Sequence, residues 1–283
     1  MTTRFVRRTT TCLGVGSAAL LALTACSSDT DHSSGAPSAS ATGSPSASAP
    51  ASAPSSPKVS GTIVVFAAAS LKESFTTLGK EFQTANPGTT VRFNFAGSDT
   101  LAASITSGAP ADVFAAASPK TMQTVTDAGD GSGTPDTFVR NQLEIATLPG
   151  NPKHIASLKD LTRSGLKVVL CAKTVPCGAA ADKALTASSL HLTPVSYEQD
   201  VKSALTKVEL KEADAAVVYQ TDVKAAGGKV AGVDFPESAK AINAYPIVAL
   251  KDAPNATGAQ AFIALVESAA GRKVLNEAGF LNP

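Results

Sequence analysis

Histidine is scarce in this chain. There are three in 283 residues, too few for a zinc site, since His32 falls in a low-complexity segment and His154 and His191 read as surface positions. The nucleophile pattern G-x-S-x-G is absent, and no Ser-His-Asp order has motif support, so the sequence argues against a hydrolase. An excess of one charge is also missing. The chain carries 24 Lys+Arg against 23 Asp+Glu. Setting aside Arg4, Arg7 and Arg8, and then Asp29 and Asp31, leaves 21 against 21. Such a balance favours neither nucleic acid nor an anionic membrane surface as partner. The early apolar run, Leu13 to Leu23, is too short to span a bilayer comfortably.

That run belongs to a leader. Arg4, Arg7 and Arg8 precede it, and "LTAC" closes it at Cys26. This order reads as a lipoprotein signal over residues 1–25, with Cys26 as the lipidated first residue of the mature chain. Residues 26–58 follow as a tether of Ser, Ala, Pro, Gly and Thr. With almost nothing to bury, it is expected to stay disordered and to hold the remainder off a membrane. Cys12 leaves with the signal. Cys171 and Cys177 remain, spaced unlike a redox C-x-x-C motif, and in an exported chain they are candidates for a disulfide.

From about Val59 the pattern becomes that of a folded domain or two lobes. "TIVVFA" (Thr62 to Ala67) reads as a buried strand. Leu71, Phe75, Leu78 and Phe82 mark one face of a helix, which Asn86-Pro87-Gly88 ends. Val91, Phe93 and Phe95 alternate as in a strand. A short helix through Leu101 and Ile105, a strand at "DVFAAAS" and a helix capped by Ser118-Pro119 come next. A second round of strands and helices begins near Asn141. This alternation predicts an α/β fold with mainly parallel sheets.

Four strand-to-helix junctions share a character: "AAAS" with Ser70, "AGSDTL" with Ser98, "VPCGAAA" with Cys177, and "QDVKSAL" with Val201. Helix starts expose backbone N–H groups at the positive end of the helix dipole, which suits an anion. Serine adds a hydroxyl donor, small neighbours let backbone approach closely, and ligands of open α/β sheets lie beyond the carboxyl ends of strands. A serine at any one helix start can equally be a simple cap. Their repetition points to one anion site.

In the order and spacing of "VFAAASL", "GSDTLAASITSGAPADVFAAAS", "VPCGAAADKAL", "DVKSALTKVELKEADAAVVYQTD" and "YPIVAL", the chain resembles the molybdate-binding proteins of bacterial ABC importers. The resemblance runs from about Gly61 to Phe280. It implies a type II periplasmic-binding-protein fold, with lobe 1 from residues 59–140 and 244–283 and lobe 2 from residues 141–243. It implies a monomeric receptor for molybdate or tungstate, without a cofactor or catalysis, that serves an ABC permease from the outer face of the membrane. The ligand contacts it implies are Ser70 and Ser98, the backbone N–H of Cys177 and Val201, and the Tyr219 hydroxyl. Asp112 in "PADVF" reads as structural, because a bare carboxylate would repel a dianion. A receptor for sulfate or another tetrahedral oxyanion is the alternative. A ferric-ion receptor would call for clustered tyrosines, and only Tyr197, Tyr219 and Tyr245 are present.

Overall fold

The computed structural model describes residues 59–283; the basic leader, Cys26 and the tether lie outside the described residues. The first lobe opens with three β-α units. These are β1 (Gly61–Ala68) and α1 (Lys72–Ala85), β2 (Thr89–Ala96) and α2 (Ser98–Thr106), and β3 (Val113–Ala115) and α3 (Pro119–Asp127). A long strand, β4 (Gly131–Asn141), then leads out of this lobe. The second lobe follows with β5 (Leu143–Thr147), β6 (Val168–Cys171), α4 (Pro176–Ala187), β7 (Ser196–Glu198) and α5 (Val201–Glu209). It is completed by β8 (Ala215–Tyr219), α6 (Gln220–Ala226) and β9 (Ala231–Val233). Finally β10 (Asn243–Leu250), α7 (Ala256–Glu267) and α8 (Ala269–Glu277) return to the first lobe.

The strand orders are β2-β1-β3-β10-β4 and β7-β6-β8-β5-β9. In both sheets the β-α-β units pair in parallel, β1 with β2 and β3, and β6 with β7 and β8. The strands on which the chain enters or returns, β10 and β5, pair antiparallel with their neighbours. Helices cover both faces of the first sheet, which is why β1 reads as a nearly unbroken apolar run. Ile63 and Val65 pack with Leu71, Phe75, Leu78, Phe82 and Phe262 on one face. Phe66 joins Leu101, Ile105, Phe114 and Met122 on the other. The Phe75 and Phe262 rings meet edge to face at 5.8 Å, an arrangement aromatic rings favour. Leu143, Ile145, Val168, Val217 and Leu205 belong to the core of the second lobe.

Two details depart from the sequence pattern. The run "GSGTPDT" conceals most of β4. It can be a strand despite Pro135 because β4 is the edge of its sheet, where a missing N–H need not be paired. The last helical stretch is two helices, because Ser268 stops α7 and caps α8, its Oγ accepting from the Gly271 N–H at 3.0 Å. The chain crosses between lobes at Asn141–Leu143 and again at Ile242–Asn243. Asn141 and Asn243 face each other as partners in the β4–β10 ladder.

Candidate functional site

The carboxyl ends of the parallel strands in both sheets open onto one cavity. Ser70 lies in the 3-10 turn Ala69–Leu71, between β1 and α1. Ser98 is the first residue of α2, after Gly97. Cys177 is the second residue of α4, after Pro176, whose missing N–H is no loss at a helix start. Val201 begins α5, capped by Asp200, which accepts from the Ser203 N–H at 2.9 Å and from its hydroxyl at 2.7 Å. Tyr219 ends β8 and precedes α6. All five line the cavity and are buried.

The hydroxyls are polarised toward this space. The Ala117 N–H donates to Ser98 Oγ at 2.9 Å, so the serine proton remains for another acceptor. The Asn243 amide donates to the Tyr219 hydroxyl at 2.9 Å and to the Ala117 carbonyl at 2.8 Å. The Asn141 amide donates to Thr221 Oγ1 at 2.8 Å and to the Tyr245 hydroxyl at 3.3 Å. Tyr245, supplied by Asn141, can in turn donate to Ser70 Oγ, 2.8 Å away. In that arrangement Ser70, Ser98 and Tyr219 all receive a hydrogen bond from the protein and keep their own protons for an acceptor in the cavity. Burial pushes the Tyr219 and Tyr245 hydroxyls well above the ordinary tyrosine range, so both stay protonated.

Charge at the cavity wall is limited to one carboxylate. Asp200 is the one charged residue in the cavity lining, and its carboxylate is committed to Ser203. Lys202, one position beyond Val201, pairs with Glu73 of α1 at 2.9 Å and with Asp222 of α6 at 3.1 Å, linking the two lobes. Burial pushes the Asp222 carboxyl up to about 6, against the opposing pull of Lys202. Asp112 is fully buried and lies outside the cavity lining. It accepts from the backbone N–H of Val64 and of Asn255, joining β1 to the start of α7. Cys171 and Cys177 are joined by a disulfide, with their Cα atoms 5.8 Å apart, so the end of β6 is fastened to the start of α4. Among the described residues, no group of three or more His, Cys, Asp and Glu side chains could hold a metal ion, and no helix is long and apolar enough to cross a membrane.

The five residues singled out in the sequence are brought together. Sequence reasoning missed the layer behind them: Asn141, Asn243, Tyr245 and the Ala117 N–H. Only the start of a strand at Tyr245 was visible, and nothing local marks the two asparagines as partners of tyrosines.

Residues 63–281 match the family model described as bacterial extracellular solute-binding protein. Over 222 residues the chain is 46% identical to the molybdate-binding protein ModA of Mycobacterium tuberculosis, covering 78% of this chain and 85% of that one. The substrate-binding domain of a putative molybdenum ABC transporter from Clostridium difficile superposes with a TM-score of 0.59 at 26% identity, covering 79% of this chain and all of that one. The periplasmic molybdate-binding protein of Azotobacter vinelandii superposes with a TM-score of 0.69 at 19% identity, covering 78% of this chain and 99% of the other, a likeness of fold. The chain belongs to the bacterial extracellular solute-binding proteins and, within them, to the family of molybdate-binding protein ModA.

Proposed function

We propose that this protein captures molybdate, and also tungstate, outside the cytoplasmic membrane and hands it to an ABC importer without chemical change. The ion is held by the hydroxyls of Ser70, Ser98 and Tyr219 and by the backbone N–H groups of Cys177 and Val201. The observation that carries this reading is that the Ser98 and Tyr219 hydroxyls each accept from an N–H of the protein, which leaves their own protons for the ion. Molybdate near neutral pH is a fully ionised tetrahedral dianion and offers acceptors only. Protonated phosphate benefits from an acceptor in the wall, and the one carboxylate in the lining, Asp200, accepts from Ser203 with both of its oxygens. Lobe 1 comprises residues 59–140 and 244–283, lobe 2 residues 141–243, and the protein acts as a monomer. Residues 1–25 direct export, and a lipid on Cys26 with the tether of residues 26–58 holds the receptor at the outer face of the membrane.

Calorimetric titration of Ser98→Ala and wild type with molybdate, tungstate and sulfate tests the site. A hydrogen bond to a charged group contributes about 1.5–3 kcal/mol, so the variant should bind molybdate and tungstate about 10- to 150-fold more weakly. Unchanged affinity in Ser98→Ala would place the ion elsewhere, and tight sulfate binding by wild type would reassign the ligand. Cell fractionation of Cys26→Ala tests the anchor: the variant should leave the membrane fraction, and its retention there would refute the lipid attachment.

A further inference from the structure

Gly97 has no backbone reason to be glycine. Its φ of -57° and ψ of 135° suit any residue, and it sits at a helix N-cap, where Ser, Asp and Asn are preferred for the hydrogen bond they add. What it lacks is room. A Cβ at this position would press into the Gln199 carbonyl oxygen, far inside the 3.0 Å that real Cβ atoms keep, and would come within 2.7 Å of Asp99 Oδ1. The Asp99 oxygen ends a side chain that can turn away. The Gln199 oxygen is backbone and belongs to the other lobe, between β7 and α5, immediately before Asp200 and Val201 at the cavity wall. Gly97 itself lines the cavity beside Ser98. Two strand-to-helix junctions, one from each lobe, therefore meet backbone to backbone at the edge of the ion's space.

We propose that the contact between Gly97 and Gln199 is the stop that ends lobe closure, and that it thereby sets the size of oxyanion the site accepts. The proposal rests on the ligand reading above. Once the Gly97 Cα meets the Gln199 carbonyl, the lobes advance no further. An ion that fills the remaining space takes hydrogen bonds from Ser98 on one side and from the start of α5 on the other. A smaller dianion such as sulfate has the same charge and the same acceptors, but it cannot draw the walls closer, so its bonds to one lobe stay long and weak. Glycine is needed because any side chain would move the stop outward.

The experiment is calorimetric titration of wild type, Gly97→Ala and Gly228→Ala with molybdate and with sulfate, with small-angle scattering of each saturated with molybdate. Gly228 is the control, since a Cβ there meets nothing within 4 Å. Gly97→Ala should lose about 10- to 150-fold in molybdate affinity, the cost of weakening one charge-assisted hydrogen bond. Its molybdate-to-sulfate ratio should fall, because the first lengthening of a bond costs most. Its saturated particle should be less compact than that of wild type, and Gly228→Ala should match wild type throughout. A Gly97→Ala protein with wild-type affinity and ratio overturns the stop while leaving the ligand reading intact. So does one that fails to fold, because the collision is between lobes and a folded, open form escapes it. Wild type that binds no molybdate overturns both.

Discussion

The Asn243 side-chain amide donates one hydrogen bond to the Tyr219 hydroxyl at 2.9 Å and another to the Ala117 carbonyl at 2.8 Å. One residue at a lobe crossing thus fixes the direction of a hydroxyl in one lobe and holds the backbone beside a serine of the other. Asn243→Asp keeps the shape and reverses the polarity: a carboxylate would accept a hydrogen bond from the Tyr219 hydroxyl, turning it away from the cavity, and add charge beside an anion. Molybdate affinity in that variant should fall at least about 10-fold, by calorimetry. Equal binding in Asn243→Asp would contradict the assigned polarity.

Binding itself should be nearly flat from pH 7 to pH 9. Burial raises both Tyr219 and Tyr245 well above the ordinary tyrosine range, so neither hydroxyl loses its proton in that interval. Serine hydroxyls and backbone amides do not titrate there either. Affinity measured at pH 7, 8 and 9 in one buffer series checks this. A drop of tenfold or more would reveal an ionising group in the site.

Stability, by contrast, should depend on pH through Glu144. Desolvation first, and the nearby Asp234 charge second, push its carboxyl from 4.5 to about 7. A carboxyl whose folded value is raised stabilises the fold fully below its unfolded value, and that contribution disappears as pH rises through the folded value. The window is therefore pH 4.5 to 7. Glu144→Gln should gain on wild type across it, by about 1–2 kcal/mol once the half-exposure of the group is discounted. Urea unfolding at pH 4.5 and pH 8 measures the difference, and a gap that is constant or larger at pH 4.5 would refute it.

The disulfide between Cys171 and Cys177 closes a short loop, and loops of this size give about 2–3 kcal/mol at most. The Cys171→Ala, Cys177→Ala double variant should lose that much in chemical denaturation. It should still bind molybdate within about tenfold of wild type, because Cys177 contributes a backbone N–H. Loss of all binding would mean that the crosslink shapes the cavity more strongly than this reading allows.

These experiments concern two layers that differed in how far the sequence exposed them. That Ser70, Ser98, Cys177 and Val201 start helices was legible because each stands at a junction between an apolar run and a helical pattern, and such junctions are encoded within a few residues; Tyr219 was singled out only through the family resemblance. Ser118 before Pro119 was legible for the same local reason, and its side chain does accept from the Thr121 N–H. Asn141, Asn243 and Tyr245 were not, since an asparagine becomes a donor to a particular tyrosine only when distant strands meet. Strand β4 was hidden by Gly131, Gly133 and Pro135, which are tolerated by its place at the sheet edge. The approach of the Gln199 carbonyl to Gly97 comes from the other lobe and leaves no local mark in the sequence.

The rung at which Asn141 faces Asn243 has a mechanical consequence. Both passages of the chain between lobes meet at this rung, and the two asparagines that face one another there are the same ones that orient Tyr245 and Tyr219. The pivot and the grip are thus one part. On the binding mode proposed above, bending these strands would turn the orienting amides with them, and the tyrosines would lose their aim as the lobes part. Unloading can then start at the axis.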